Sequence, residues 1–229
     1  MRGRLLRRYQ RFFADVETEA GEKLTVHCPN PGSMRGLLVE GAPVRCSRRD
    51  DPRRRFAHTL EMIRVGRTWV GVHTGRANAL AERALATGTL APLAGYRSRR
   101  REVAVHGGSR LDFLLEGHRR DPRPLYLEVK SVTLADASGR VARFPDSVTT
   151  RGRRHAETLA DLADAGARAA LLFVVQRADA ERVEPADEID PAYGRALRRA
   201  VERGVLVLAV RTRVTPRALL VERPLPVSL

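Results

Sequence analysis

The residues with the clearest chemical potential are a Glu-x-Lys pair, Glu128 and Lys130, inside the apolar run 125–132. Along a β-strand, residues i and i+2 point to the same face, so these two side chains would lie next to each other. Of the 42 basic residues, 40 are Arg, and only Lys23 and Lys130 are Lys. Lys carries a compact ammonium whose pKa can be lowered, whereas Arg stays charged, so the Lys at position 130 indicates a chemical requirement.

A second carboxylate, Asp112, lies 16 residues before Glu128 in the strand-like run 109–115. A hairpin closed by residues 117–124 would set the two carboxylates on neighbouring strands. Paired carboxylates bind hard divalent cations such as Mg²⁺ or Mn²⁺, and a nearby ammonium would contact a phosphate. The alternative is a solvated strand edge, but the apolar run around Glu128 fits a central strand, where unpaired charges are costly.

Arg151 and His155 lie four residues apart in the segment 149–165, whose apolar spacing predicts a helix. Side chains four apart share a helical face, so both would contact a phosphate or a leaving group if this face meets the Glu-x-Lys pair. If it does not, both face solvent at an Arg-rich helix start. Asp146, or one of the Ser and Thr residues that follow it, would cap this helix.

Residues 1–75 consist of short apolar runs broken by turn residues, which predicts a small β-barrel of the OB type. A loop with two prolines, 28–32, interrupts these runs. Within it Asn30, with His27 and Ser33 on either side, fits either a structural turn or a binding loop. The five predicted strands are 11–19, 22–28, 44–47, 60–65 and 68–72.

Residues 76–229 follow a different pattern, which predicts the order αβββαβαβ. The first six elements match the core order of the PD-(D/E)xK nuclease fold, and the last helix and strand would extend its sheet. We therefore predict an α+β or α/β protein with an OB-like domain over 1–75 and a nuclease-like, mixed-sheet domain over 76–229. Helices are predicted at 77–87, 149–165 and 191–203, and strands at 102–106, 111–116, 125–130, 169–176 and 205–210.

The composition favours a polyanionic partner. The formal net charge is +15 and the sequence pI is near 11.3, so nucleic acid is the first expectation and an anionic membrane the second. Cys28 and Cys46 lack the spacing of a zinc site, and we find neither a signal peptide nor a membrane-spanning run. We expect a cytoplasmic protein with reduced thiols. Four aromatic residues interspersed with Arg are more typical of a barrel core than of base-stacking platforms: Tyr9, Phe12, Phe13 and Trp69.

Several motifs together resemble the sugar fermentation stimulation protein A (SfsA) family. The resemblance covers essentially the whole chain, and it implies an OB-like domain, a PD-(D/E)xK nuclease-like domain and DNA binding without marked sequence preference. It departs from the expected patterns at Leu111, where the nuclease motif has Pro, and at Pro31, where the family pattern has Thr. The motifs are 8–12 with 14–16, 27–30, 109–113, 128–134, 144–146, 151–155 and the ending 225–229.

The resemblance also assigns roles to individual residues. Asp112, Glu128 and Lys130 match the nuclease triad, with Arg151 and His155 beside it. We expect Asp112 and Glu128 to hold Mg²⁺ or Mn²⁺. The catalytic residues would be Asp112, Glu128, Lys130 and His155, and the nucleic-acid contacts would come from Arg11, Asn30, Arg35, Arg110 and Arg151.

Two functions fit these expectations. One is a metal-dependent DNA phosphodiesterase, in which Lys130 would position or deprotonate the attacking water or stabilise the phosphate. The other is a non-catalytic DNA-binding regulator of sugar (maltose) metabolism genes on a nuclease scaffold, since a fold does not settle an activity. Either function uses single- or double-stranded DNA as partner, and the oligomeric state, a homodimer included, stays open.

Overall fold

Two β-sheets dominate the computed structural model, which describes residues 1–105 and 108–229. The first sheet contains β1 (Arg2–Tyr9), β2 (Phe13–Thr18), β3 (Lys23–His27), β4 (Pro43–Arg48), β5 (His58–Val65) and β6 (Thr68–Gly71). They lie in the order β3-β2-β1-β4-β5-β6, and a further pairing between β3 and β5 curls the sheet into a barrel. The predicted OB-like domain is confirmed.

Strand β1 is the part of the barrel that the sequence pattern did not predict. Among its side chains only Leu5 is fully buried, and four of its eight residues are Arg. Its position depends on backbone pairing with β2 on one side and β4 on the other. Because the ladder partners hold this strand, it forms without the apolar alternation that usually identifies one.

The second sheet carries the predicted nuclease-like order. Its strands are β7 (Ser98–Ala104), β8 (Arg110–Glu116), β9 (Leu125–Val132), β12 (Arg168–Val175), β14 (Leu206–Thr215) and β15 (Ala218–Leu225). They lie in the order β15-β14-β12-β9-β8-β7, with β9, β12 and β14 parallel. A smaller sheet beside it contains β10 (Leu134–Ala135), β11 (Val141–Phe144) and β13 (Arg182–Pro185).

Helices cover both faces of the second sheet. Helix α1 (Arg76–Ala86) packs on one face, and α2 (Thr150–Asp164) and α3 (Pro191–Glu202) pack on the other. Strands β9 and β12 are therefore buried on both sides, which explains their nearly continuous apolar sequence. No helix in the described part of the chain is long and apolar enough to cross a membrane.

The predicted elements of this domain agree with the structure within a few residues, with two larger differences. Strand β14 ends at Thr215, five residues beyond the predicted end at 210. Strand β7 begins at Ser98 instead of Glu102, and the predicted end of that strand, His106, lies outside the described residues. The predicted extension of the sheet by the last helix and strand is confirmed, because β14 pairs in parallel with β12. Strands β10, β11, β13 and β15 were not predicted, since they are short or rich in Arg, Glu and Pro.

Candidate active site and nucleic-acid interface

Asp112 and Glu128 lie side by side on β8 and β9. The ladder between these strands ends with Phe113 opposite Leu127, so the two carboxylates are the next residues along each strand. Asp112 Oδ2 accepts a hydrogen bond of 2.7 Å from the backbone N–H of Val129. The hairpin predicted from the sequence thus brings the two acidic residues together.

Asp112 also receives a hydrogen bond that the sequence did not indicate. Asn78 on α1 donates through Nδ2 to Asp112 Oδ1 at 2.7 Å. The two residues are 34 positions apart, so no local pattern connects them. Helix α1 reaches this place because Leu80 and Ala84 pack into the apolar layer on that face of the sheet.

Glu128 is the most constrained carboxylate of the site and is only 4% exposed. Its Oε1 accepts a hydrogen bond of 2.6 Å from Lys130 Nζ and lies 2.5 Å from Nδ1 of His155. Its Oε2 is buried and has no hydrogen-bond partner among the described residues. One oxygen of Glu128 therefore already interacts with two protein side chains, whereas the other can still accept a hydrogen bond.

The pKa values of the two carboxylates move in opposite directions. Burial raises the pKa of Asp112, and the neighbouring charge of Glu128 raises it further. Burial also acts to raise the pKa of Glu128, but the hydrogen bond from His155 and the charge of Lys130 outweigh it, so this pKa is lowered. Asp112 is the carboxylate whose negative charge the protein compensates less well.

Helix α2 brings Arg151 and His155 to the site. The helix begins at Thr149, whose Oγ1 accepts a hydrogen bond of 2.9 Å from the N–H of Gly152, as expected for one of the candidate capping residues. Arg151 Nε donates to His155 Nε2 at 3.4 Å, and the other ring nitrogen of His155 faces Glu128. The predicted helical face therefore meets the Glu-x-Lys pair.

His155 contacts Glu128 from the protein interior. It is 1% exposed and does not line the adjacent cleft, whereas Arg151 is exposed and does. His155 therefore touches Glu128 and not the cleft, although the sequence pattern had made it a catalytic candidate, and Arg151 is the member of the pair that faces the cleft.

Lys130 lies in the wall of a cleft of about 460 Å³ between the two domains. The barrel contributes Arg11 and Asn30, and the second domain contributes Lys130, Arg143 and Arg151. Asp146 is the only acidic residue found among the described residues of its lining. The cleft is therefore basic and lies next to the two carboxylates.

The backbone and the side chain of Arg11 are both held in place at the cleft. It has a φ of +63°, an uncommon value for a residue with a side chain. Arg8 donates to the Arg11 carbonyl at 2.8 Å, and Arg11 Nη2 donates to the carbonyl of Pro31 at 2.8 Å. The guanidinium is thus held at the edge of the loop with two prolines.

Asp146 joins the two domains at this loop. Its Oδ2 accepts from the N–H of Met34 at 3.0 Å, and its carbonyl accepts from Ser33 Oγ at 2.6 Å. Asn30 is 3% exposed, and its Oδ1 accepts from the N–H of Gly32 at 2.9 Å. Asn30 therefore has a structural role in the turn as well as a place in the cleft wall, and Asp146 does not cap α2.

Two predicted nucleic-acid contacts lie away from the cleft, because Arg35 and Arg110 are exposed and do not line it. The expectation that the four aromatic residues form the barrel core is wrong, since the core cluster contains none of them. Phe12 is 43% exposed, and the guanidinium of Arg45 lies 4.8 Å from the centre of the Trp69 ring. The other three aromatic side chains, Tyr9, Phe13 and Trp69, are half-buried outside this core.

The described residues contain no cluster of three or more His, Cys, Asp or Glu side chains arranged to hold a metal ion. Cys28 and Cys46 are buried free thiols, and burial raises the pKa of Cys46 to about 12. Neither thiol has the character of a reactive nucleophile.

Family models match both domains. Residues 6–72 match the SfsA N-terminal OB domain, and residues 75–218 match the sugar fermentation stimulation protein RE domain. A sugar fermentation stimulation protein homolog of Pseudomonas putida (strain GB-1) is 51% identical over 229 residues, which cover 99% of this chain and 95% of the relative. The chain belongs to the SfsA family.

Other similarities extend over the full chain. The homolog from Halorhodospira halophila is 51% identical over 226 residues, covering 98% of this chain and 93% of its own. The structure of SfsA from Pyrococcus furiosus in complex with Ca²⁺ superimposes with a TM-score of 0.89 at 24% identity, covering 100% of this chain and 95% of that chain. At this identity the similarity establishes the SfsA fold.

Proposed function

We propose that this SfsA-family protein is a metal-dependent DNA phosphodiesterase of low sequence specificity. The observation that carries the proposal is the arrangement of Asp112, Glu128 and Lys130 on neighbouring strands beside a basic cleft. Two carboxylates, an ammonium and flanking guanidinium groups are the components that hydrolysis of a phosphodiester requires.

The donor set fits a hard divalent cation. Asp112 and Glu128 would hold Mg²⁺ or Mn²⁺, with backbone carbonyls and water completing the shell, because the described residues contain no group of three or more His, Cys, Asp or Glu side chains arranged to hold a metal ion. The buried, unpartnered Oε2 of Glu128 and the raised pKa of Asp112 both favour a positive charge at this place. When bound, the cation would activate water and neutralise charge on the phosphate. The SfsA of Pyrococcus furiosus, which has the same fold, was determined in complex with Ca²⁺, another hard cation.

The chain's own residues would divide the remaining work. His155 holds Glu128 in place, and Lys130, 11% exposed at its side chain, presents an ammonium at the cleft. Lys130 would stabilise the developing charge on the phosphate or orient the attacking water. Arg11 and Arg151 would bind the phosphates on either side, which positions the scissile bond.

The charge distribution supports DNA as substrate. With a net charge of +15, the protein attracts a polyanion at long range. Guanidinium groups contact the sugar-phosphate backbone in any sequence context, and backbone contacts position a protein without reading bases. We therefore expect the protein to bind DNA with low sequence specificity.

A second candidate is a DNA-binding regulator whose site is not used for catalysis. The printed names of the relatives refer to stimulation of sugar fermentation. In addition, Lys130 and His155 both contact Glu128 Oε1, so protein groups already compensate the charge of Glu128 without a cation. In this case the same basic cleft would bind DNA without cleaving it.

The deciding experiment is incubation of purified protein with labelled single-stranded, double-stranded, nicked and branched DNA, with Mn²⁺ or with EDTA. We expect cleavage that requires the cation and is lost in Glu128→Gln. The matched control is Glu157→Gln, which removes the same charge from an exposed position on α2. No cleavage by the wild type on any substrate would favour the regulator.

Metal binding is tested separately by calorimetry. We expect Asp112→Asn and Glu128→Gln to abolish Mn²⁺ binding, while DNA affinity in EDTA holds or rises because a negative charge has been removed. Unchanged Mn²⁺ binding in both variants would place the metal elsewhere.

A further inference from the structure

A cavity of about 840 Å³ lies at the junction of the barrel, helix α1 and the hairpin of β14 and β15. We call it the junction cavity; it is lined by residues 47, 61–62, 76, 79–80, 83, 87, 89, 213 and 217–221. Its volume falls in the range of about 300–1,000 Å³ that is typical of small-molecule sites, which often lie between domains. It shares no described lining residue with the cleft at Lys130.

Three arginines of the junction cavity carry uncompensated charge. Arg83 lies on α1, Arg213 on β14, and Arg217 in the turn before β15. Within 1–105 and 108–229, their side chains make no ion pair and no hydrogen bond, although many other arginines of the chain are paired with carboxylates. Guanidinium groups that converge from three elements favour an anionic ligand.

The only acidic group among the described lining residues does not oppose such a ligand. Glu61 accepts hydrogen bonds from Arg76 Nη2 at 2.6 Å, from Arg76 Nε at 3.1 Å and from Ser47 Oγ at 2.7 Å. Its charge is therefore already neutralised inside the protein. The surplus positive charge of the three other arginines remains for a ligand.

The rest of the lining is apolar. Met62 and Leu80 are mostly buried beneath the arginines, and Leu219 and Val221 are partly buried on the side of β15. An inorganic ion would leave this apolar surface and most of the volume unfilled, so the preferred ligand has an apolar part as well as a charged one.

We propose that the junction cavity binds an organic phosphate of mononucleotide size. The phosphate would lie against Arg83, Arg213 and Arg217, and a flat or apolar group would cover Leu80 and Val221. Because the site is separate from the cleft, the inference does not depend on whether the protein cleaves DNA.

The test is calorimetry on the full-length protein in EDTA, with AMP, ribose 5-phosphate and adenosine as probes. AMP carries both the phosphate and the flat base, whereas each of the other two lacks one of them. We expect AMP to bind at least tenfold more tightly than either. If ribose 5-phosphate bound as tightly as AMP, the apolar surface would have no role in binding. If adenosine bound as tightly as AMP, the arginines would have none. Either result would overturn the proposal.

Variants locate the binding. The double variant Arg213→Gln and Arg217→Gln should bind AMP at least tenfold more weakly than the wild type. Both positions are exposed, so folding should be retained. The control, Arg119→Gln with Arg195→Gln, removes the same charge from exposed positions outside the junction cavity and should change affinity less than twofold. Equal weakening in both pairs would show attraction by net charge only and would overturn the proposal.

A third variant separates the two halves of the site. Val221→Ser should weaken the binding of AMP but leave the binding of ribose 5-phosphate unchanged. An adjoining cavity of about 340 Å³ shares Arg217 and is also lined by Arg2 and Arg45, so a longer polyanion could extend into it. A different result would be an affinity for single-stranded DNA that rises steadily with its length and falls in Arg2→Gln. The surface would then bind the backbone of a nucleic-acid strand, and the small-ligand proposal would be wrong.

Discussion

At the scale of single residues, Glu128 determines what the site can do. One of its oxygens is shared by Lys130 and His155, and the other is buried and unpartnered among the described residues. Asp112 is held by Val129 and Asn78 but lacks a full countercharge. The protein thus orients the pair and leaves the negative charge of Asp112 poorly compensated, as the proposed cation site requires.

The substitution Lys130→Arg tests whether this position needs only a positive charge. We expect cleavage to fall by about 100-fold or more, because a bulkier guanidinium that does not titrate cannot replace a compact ammonium 2.6 Å from Glu128. Folding and DNA binding should be retained. Cleavage rates of labelled DNA measure the effect.

Lys23→Arg is the control for this substitution, because Lys23 is the other lysine of the chain and is exposed at the start of β3. The Lys23→Arg variant should cleave labelled DNA at the wild-type rate. Unchanged cleavage in Lys130→Arg would count against catalysis through this residue.

At the scale of elements, the site depends on the ends of strands, on one helix and on one loop. Helix α1 contacts both regions through different residues, with Asn78 bonded to Asp112 and Arg83 in the lining of the junction cavity. The loop 28–34 brings the barrel to the cleft through its contact with Asp146. The relative placement of the two domains is therefore part of the site.

Gly32→Ala should disrupt the contact between loop and cleft. A Cβ at this position would overlap both carboxylate oxygens of Asp146. We expect a loss of about 1–3 kcal/mol in the free energy of unfolding, as is usual for overpacking, measured by denaturant titration. DNA binding should weaken as well, because Arg11 is held at the same loop.

A double-mutant cycle identifies the cause of that loss. In an Asp146→Ala background, Gly32→Ala should cost at least about 1 kcal/mol less, because the overlapping group is gone. The same cost in both backgrounds would mean that the backbone of the loop, not Asp146, is responsible.

The Glu61–Arg76 pair should make stability at the domain junction depend on pH. Burial acts to raise the pKa of Glu61, but hydrogen bonds from Arg76 and Ser47 outweigh it, so the pKa is lowered from 4.5. The ionised form therefore stabilises the folded state at pH values above 4.5, and this contribution is lost as the pH falls through the lowered pKa.

Glu61→Gln tests this dependence. At pH 7 the variant should lose about 1–2 kcal/mol in the free energy of unfolding, and below about pH 4.5 its stability should decline less steeply than that of the wild type. Denaturant titration at a series of pH values measures both effects. The exposed Glu157→Gln serves as control, and a decline in Glu61→Gln as steep as in the wild type would contradict the assignment.

At the scale of the whole molecule, the net positive charge bears on the proposed binding of DNA. The net charge of +15 comes from arginines on both domains, so attraction does not depend on one motif. Glu128 is buried, Asp112 is half-buried, and the wall of the neighbouring cleft is basic. In the proposed function, DNA would therefore approach the two acidic residues without strong repulsion.

Binding of DNA should be strongly salt-dependent. We expect log affinity to fall linearly with log salt, with a loss of about 100-fold or more between about 50 and 200 mM salt, because phosphate contacts release counterions. Fluorescence anisotropy with several unrelated sequences measures both the slope and the specificity. A shallow slope, or a strong preference for one sequence, would contradict phosphate-dominated binding.

The sequence by itself determined those features that depend on local periodicity. The Glu-x-Lys strand, its hairpin with Asp112 and the helical face of Arg151 and His155 all follow from repeats of two or 3.6 residues. The OB-like barrel and the nuclease-like element order were predicted in the same way, apart from the Arg-rich β1. Net charge predicted the class of partner, which stays a prediction.

Only the tertiary structure decided which groups meet across long stretches of chain. Asn78 reaches Asp112, and Asp146 binds the loop at Met34 instead of capping α2, because packing of whole elements brings them there. It also decided that Glu128 shares one oxygen between two donors and leaves the other unpartnered among the described residues. Such contacts join residues distant in sequence, and no repeat of side-chain types along the chain records them.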